Sequence, residues 1–361
     1  MIQKIRQRLG QLSSRPRTGC LPVRALAVGL VLTLAPRGAS AAERGPDLPP
    51  TVGSIERLDP RIDALVPPEA VIEVLGMGHA WAEGPVWVKE QGHLLFSDIP
   101  HNRVHRWKAG EGVSLYLEPS GFTGPAEYGK ERGSNGLTLD RKGKLISCEH
   151  GDRRVSRLEP GGGKRTVADT WQGKRFNSPN DAAVHASGAI YFTDPPYGLP
   201  KGAEDERREI PFCGVYRIGN EGEVTLLCDT MTRPNGICFS PDQMRLYVAQ
   251  SDPQQPVIKV FAVKPDGTLD AGRTFFDAGP LAKQRRGSPD GLKVDTAGNL
   301  FATGPGGVLV IAPDGTHLGT LLTGQATANC AFGEDGKTLF ITADSLLCRV
   351  RLTTVGPLPG P

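Results

Sequence analysis

The sequence predicts an all-β protein: a six-bladed β-propeller of four-stranded antiparallel blades, its last blade closed by an N-terminal strand. Three observations lead there. One phrase recurs six times between Glu83 and Asn329: an oxygen-bearing side chain, a short apolar run, a turn, and a second apolar run. The copies open as EGPVWV at Glu83, NGLTLD at Asn135, NDAAVH at Asn180, NGICFS at Asn235, DGLKVD at Asp290 and NCAFGE at Asn329. Self-similarity at roughly 40 to 55 residues, written in strand-length pieces, marks one blade per copy. The composition agrees, since 46 Gly and 31 Pro beside 6% aromatic residues suit many short strands joined by tight turns. Finally, the last copy ends soon after its third strand (LCRVRL, 347–352), while a strand-like AVIEVL at 70–75 has no blade of its own. That segment is expected to be the outer strand of blade 6, which removes two open sheet edges.

Taken in order, residues 1–42 read as a secretory signal peptide. Lys4, Arg6, Arg8, Arg15, Arg17 and Arg24 precede an apolar run over 25–35, and Ala39-Ser40-Ala41 follows as a small-residue cleavage signature. The run is too short to span a bilayer. Without an adjacent arginine pair before it, general secretion fits better than twin-arginine export, and Cys20 lies on the wrong side for a lipid anchor. The expected location is periplasmic or extracellular, with no membrane association after cleavage. Residues 43–69 are Pro-rich and aperiodic and read as a linker along the blades' outer surface. Residues 70–354 form the propeller, and 355–361 a tail. The formal net charge of +3 includes the leader's cations, so the remainder is near neutral or acidic and gives no case for nucleic-acid binding. Oligomeric state is left open.

Within blade 1 the strands are expected at VWV after Glu83, at LLFS (94–97), at Arg103–Trp107 and at Ser114–Leu117, separated by Gly-containing turns. The later second strands are LISC (145–148), AIYFT (189–193), RLYVA (245–249), LFAT (300–303) and TLFIT (338–342). In an antiparallel meander the start of the first strand lies beside the end of the second. One mouth should therefore receive an inner ring of Glu83, Asn135, Asn180, Asn235, Asp290 and Asn329. A second ring should include Asp98, Glu149, His150, Asp194, Gln250 and Asp344. A single Asn-Gly or Asp-Gly is more often a turn than a ligand. Six oxygen-bearing openers, Glu83 among them, favour a ligand ring. Two carboxylates with neutral amides make a hard-oxygen site for one divalent cation, Ca²⁺ before Mg²⁺ or Mn²⁺. Zn²⁺ is the poorest fit, because the seven His look scattered and no Cys or His pair has ligand spacing. His150 reads either as a wall residue or as a proton carrier.

Eight motifs carry a resemblance: EGPVW (83–87), FSD (96–98), SNGL (134–137), EHGDRRV (149–155), RFNSPNDA (175–182), YFTDPPYG (191–198), PNGI (234–237) and SPDGL (288–292). In this order, over about Ala80 to Leu352, the chain resembles the gluconolactonase, senescence-marker-protein and luciferin-regenerating-enzyme family. The resemblance implies a six-bladed propeller that uses one divalent cation, usually calcium, to hydrolyse sugar lactones. It implies that Glu83, Asn235 and Asp290 hold the metal, that Asp290 is also the catalytic proton carrier, and that Asn180 binds substrate and can approach the metal. Asn135, His150, Asn180 and Tyr197 are candidate contacts to a small-molecule lactone. The implied chemistry is polarisation of the carbonyl by the cation and attack by water, with Asp290 moving the proton. Two departures stand out. Ser178 occupies the place where some members carry a substrate-binding Arg, and a substrate-contacting acid near Tyr197 is absent. The GxSxG serine motif is missing as well. The alternatives are a non-catalytic sugar- or protein-binding propeller, or a related hydrolase acting on other lactones or phosphotriesters.

Two long loops, 118–133 and 197–211, read either as solvated surface or as a rim that selects substrates. Cys213 and Cys228 flank a hairpin and could pair across it in an oxidising compartment. Cys148, Cys238, Cys330 and Cys348 look like small buried strand residues.

Overall fold

Each repeat builds one antiparallel sheet whose strands follow chain order outward, and the first strands of successive blades neighbour one another in a closed circle. The computed structural model describes residues 49–361, so the leader expected over 1–42 lies outside the described residues. Blade 1 consists of Ala82–Val88, His93–Asp98, Arg103–Lys108 and Gly112–Leu117. Blade 2 is Ser134–Leu139, Leu145–Glu149, Arg154–Leu158 and Lys164–Ala168; blade 3 is Ala182–Val184, Ile190–Asp194, Cys213–Ile218 and Val224–Met231. Blade 4 comprises Pro234–Phe239, Arg245–Gln250, Val257–Ala262 and Arg273–Asp277, and blade 5 Leu292–Val294, Leu300–Gly304, Gly307–Ile311 and His317–Leu322.

Blade 6 supplies Thr327–Gly333, Thr338–Ala343 and Leu346–Arg351 from its own repeat, and Ile72–Met77 completes it as the outer strand. The register pairs Cys348 with Val74 and Arg349 with Glu73, and the Arg349 guanidinium sits 2.5 Å from the Glu73 carboxylate. The two ends of the chain thus share one sheet, and no blade edge is left facing a gap. On the seam with blade 1, the Trp87 ring stacks on Phe340 at 5.5 Å.

The described part of the 43–69 stretch is more ordered than a linker. Thr51–Val52 pairs with Ile72 and Glu73 at the edge of blade 6, and Ser54–Arg57 pairs with Gly319–Leu322 at the edge of blade 5. Gly53 makes the step between them with φ 64, and a Cβ there would stand 1.7 Å from the Leu322 carbonyl oxygen. Ile62 and Val66 beyond it are fully buried against blades 5 and 6. Strands of two and four residues are too short for periodicity to reveal.

The tail also has fixed partners, since Thr296 N donates to the Val355 carbonyl at 2.8 Å and Gly356 N to Gly336 at 2.9 Å. Residues 357–360 line a partly open cavity of about 370 Å³ together with first-strand residues such as Val86, Leu137, Ile237 and Phe332. Cys148, Cys238, Cys330 and Cys348 are buried. Cys213 and Cys228 are free thiols, because register shifts in their hairpin place Cys228 opposite Val215 and Cys213 opposite Met231. Among the described residues, no helix is long and apolar enough to cross a membrane.

Candidate active site at the pore mouth

The openers are not turn residues. In blades 1, 2, 4 and 6 a register shift falls at the opener, as where pairing steps from Glu83–Ser97 to Val86–Leu95. Such a bulge bends the strand and re-aims its side chains. In blades 3 and 5 the openers precede the first strand, and Asn180 N and Asp290 N donate to the Thr193 and Thr303 carbonyls at 2.8 and 3.1 Å.

The glycine after an opener has a packing reason. A Cβ on Gly84 would stand 2.0 Å from the Asn135 carbonyl oxygen, on Gly136 2.4 Å from Asp181 Oδ1, on Gly236 2.1 Å from the Asp290 carbonyl oxygen, and on Gly291 2.0 Å from Asn329 Cγ. Blades 1, 2, 4 and 5 therefore abut the opening segment of the next blade, and only glycine permits the approach. Hydroxyls from second strands clasp three of the blade junctions. Ser97 donates to the Asn135 carbonyl at 2.8 Å, Thr193 to Asn235 at 2.7 Å and Thr303 to Ala328 at 2.9 Å.

Glu83 is buried, Asp290 is partly buried with its Oδ1 out of reach of solvent, and the charge of Glu83 bears on Asp290. Burial pushes Glu83 up to about 8, with Asp181 adding to the rise against the Gly84 N–H, which donates to its carboxylate at 2.6 Å. Burial likewise drives Asp290 far above the carboxylate range, and Glu83, Asp181 and Glu131 add to it. Asp181 is raised too, chiefly by burial, against the pull of Lys293. Burial opposes the charge of Lys293, but Asp181, two thiols and Glu83 outweigh it and raise its pKa. Three carboxylates against one ammonium leave two negative charges uncompensated when all are ionised. Among the described residues, Asn135 Oδ1, Asn180 Oδ1, Asp181 Oδ2 and Asp290 Oδ1 are buried oxygens without a hydrogen-bond partner. Buried oxygens of this kind are costly unless something satisfies them. The donor set and the charge deficit both fit one hard divalent cation.

The remaining expected residues fall into two groups. Asn235 Nδ2 donates to Ser251 Oγ at 2.9 Å, and that hydroxyl donates to the Pro289 carbonyl at 2.7 Å, beside Asp290. Tyr197 joins them: its phenol interacts with Ser251, and its pKa rises through burial first and the Asp290 charge second. On the other side Asn135 Nδ2 lies 3.4 Å from His150 Nε2. His150 is fully buried, which lowers its pKa to about 4 and keeps the ring neutral. Its Nδ1 is 3.7 Å from a Glu131 carboxylate oxygen, and burial raises that acid to about 7. Asn329 is buried and turns its Oδ1 to the Cys330 N–H at 2.9 Å.

The second ring differs from expectation. Three of its members, Asp98, Asp194 and Gln250, latch the chain entering the first strands. Asp98 accepts from Ala80 N and Trp81 N at 3.2 and 3.3 Å, Asp194 from Asn177 N and Ser178 N at 2.7 and 2.8 Å, and Gln250 from Thr232 N at 2.9 Å. Glu149 is tied to Arg154 and Lys164, both at 2.6 Å. Ser178 serves the scaffold: its hydroxyl donates to the Pro195 carbonyl at 2.5 Å and accepts from Gly198 N at 2.9 Å, holding the turn that presents Tyr197. Arg175 is exposed and turned to the Asp152 carbonyl at 2.5 Å.

The two long loops meet. Arg207 lies over the Tyr128 ring at 5.0 Å, and Gly129 sits against Pro200. The first loop is anchored by Asn102 Oδ1, which accepts from Ser120 N, Gly121 N and Phe122 N at 3.0, 2.8 and 3.1 Å. Sequence reasoning missed Asp181, Lys293, Glu131 and Ser251. Only Lys293 carried a signal, as the one cation in the six opening phrases. The histidines are also less scattered than they look in sequence, for three of the seven, His79, His101 and His105, gather around Asp98.

A family model described as "SMP-30/Gluconolactonase/LRE-like region" matches residues 81–345. The chain is 43% identical over 319 residues to a gluconolactonase of Zymomonas mobilis, covering 85% of this chain and 88% of the relative. It is 26% identical over 266 residues to the pentonolactonase XacC of Haloferax volcanii, covering 72% of this chain and 80% of the relative. Among solved structures, a gluconolactonase from Xanthomonas campestris matches with TM-score 0.74 and 31% identity, covering 86% of this chain and 99% of that one.

Proposed function

The chain belongs to the SMP-30/gluconolactonase/LRE-like family, and from that premise we propose that it hydrolyses a sugar lactone of the gluconolactone type. The observation that carries the reading is the cluster of buried Glu83 and Asp181 with partly buried Asp290 beside Lys293, with oxygens of Asn180 and Asp290 left without partners among the described residues. Glu83, Asn180, Asn235 and Asp290 would hold one divalent cation, Ca²⁺ first among the hard ions; when bound it supplies Lewis-acid polarisation of the lactone carbonyl.

The protein's own groups divide the remaining work. Asp290 accepts the proton of the attacking water and returns one to the ring oxygen as the ester C–O bond breaks, so the product is the open hydroxy acid. Its burial suits it to holding that proton between the two steps. Lys293 keeps the cluster from accumulating full negative charge. Tyr197 and Ser251 brace the Asp290 side of the site, while Asn135 and neutral His150 offer hydrogen bonds to sugar hydroxyls. Asn180 serves both the cation and the substrate. The basic leader, its apolar run and its small-residue cleavage signature support an exported enzyme.

The deciding experiment assays Asp290→Asn and wild type on a panel of sugar lactones, aromatic lactones and phosphotriesters, with calcium and with chelator. Wild type should open sugar lactones and lose that activity on chelation, while the variant loses it under both conditions. Undiminished turnover by the variant, or a wild type that binds sugar without turnover, would overturn the assignment.

A further inference from the structure

We propose a second metal site, separate from the pore mouth, in which His79, Asp98 and His105 bind a zinc-type transition-metal ion with His101 as a fourth ligand. The ligating atoms of His79, Asp98 and His105 all lie within 4.8 Å of one another. His79 Nδ1 and His105 Nε2 each stand 3.8 Å from Asp98 Oδ2, and His101 Nδ1 stands 2.8 Å from the same oxygen. Only the last is a hydrogen-bond distance. The other two rings stand beyond hydrogen-bond distance of that oxygen.

Tetrahedral zinc with bonds of about 2.0–2.1 Å spaces its ligands roughly 3.3 Å apart, a modest contraction from the 4.8 Å within which the atoms of His79, Asp98 and His105 already lie. The carboxylate is already fixed by the Ala80 and Trp81 amides. The rings are held edge and face by Phe96, with centroids 4.9 Å from His79 and 5.5 Å from His105. The site is enclosed: the side chains of Asp98, His79 and His105 are 2%, 7% and 15% exposed, and half-exposed His101 is the door. His79 Nε2 is a buried nitrogen without a hydrogen-bond partner among the described residues. Imidazole nitrogens with one carboxylate suit Zn²⁺, Co²⁺ or Ni²⁺, in contrast to the oxygen donors of the pore.

The place in the fold gives the ion a task. His79 lies between the closing strand Ile72–Met77 and the first strand of blade 1, and its N–H donates to the Ser345 carbonyl at 3.3 Å. An ion shared by His79, Asp98 and His105 ties the closure of blade 6 to blade 1, so binding stabilises the folded ring.

The test uses purified, tag-free protein freed of metal and titrated with Co²⁺ and Zn²⁺. The expected result is one equivalent of Co²⁺ with visible absorption of tetrahedral type, and a melting temperature that rises with Zn²⁺. Glu83→Gln should keep both signals. His105→Asn, and independently His101→Asn should the first fail to fold, should weaken Zn²⁺ binding by at least the roughly 10–100-fold that loss of an outer-shell partner costs. Overturning results are no tetrahedral Co²⁺ signal in wild type, or signals abolished by Glu83→Gln and kept by the histidine variants.

Discussion

Glu83 offers a test of the pore electrostatics that needs no substrate. Its carboxyl has an ordinary value of 4.5 and is pushed up to about 8 in the folded protein, first by burial and then by Asp181, with the Gly84 N–H, Asn329 and Lys293 opposing. In metal-free protein at pH 6.5 the native state therefore holds a proton there that the unfolded chain has released. Unfolding sheds that proton, so raising the pH favours the unfolded state, and the slope ends above pH 8. Below pH 6.5 buried His150, lowered to about 4, pulls the other way, which makes 6.5 to 8 the clean window. Across those 1.5 units the acid costs about 2 kcal/mol at about 1.36 kcal/mol per unit. For a domain of about 300 residues this is about 3 °C in Tm. The assay is differential scanning calorimetry of wild type and Glu83→Gln in chelator at both pH values. Glu131 and Asp194, raised to about 7, are common to both proteins, and so are Asp181 and Asp290, whose carboxyls are raised chiefly by burial that the substitution leaves in place. Wild type should lose about 3 °C more than the variant between pH 6.5 and 8, and Ca²⁺ at pH 8 should restore it. Parallel slopes for the two proteins would refute the reasoning.

Other expectations follow from the junctions and the rim. Thr193 is fully buried and its hydroxyl donates to the Asn235 carbonyl at 2.7 Å, so Thr193→Val strands that oxygen and should cost about 1–3 kcal/mol by chemical denaturation, with Thr193→Ser losing less. In Gly236→Ala the new methyl meets the Asp290 carbonyl oxygen at 2.1 Å, and about 1–3 kcal/mol of overpacking should accompany a fall in kcat. Tyr128→Ala removes the ring under Arg207 that joins the two rim loops, and steady-state kinetics should show KM rising several-fold with kcat nearly unchanged.

Much of the architecture was readable from the chain because a propeller writes its period into the sequence. The six openers, the turn residues between apolar runs and the unclaimed strand at 70–75 each carry local information. The edge strands at 51–57 were hidden because so few residues pair in each. The reason for the Asn-Gly repeats was hidden as well. It is the approach of one blade's glycine to the next blade's opener, a contact between residues some fifty positions apart, as between Gly84 and Asn135.

The residue types therefore determined by themselves that this is a ring of β-blades with oxygen donors at one mouth. They also marked Glu83 and Asp290 as its acids, because these choices recur in phase with the fold. Only the tertiary structure decided that Asp181 and Lys293 share that enclosure, that Glu131 reaches His150, that the second ring latches backbone, and that distant histidines converge on Asp98. Charge coupling and ligand convergence depend on separation through space, and the order of residues along a chain does not encode that separation until the blades have closed.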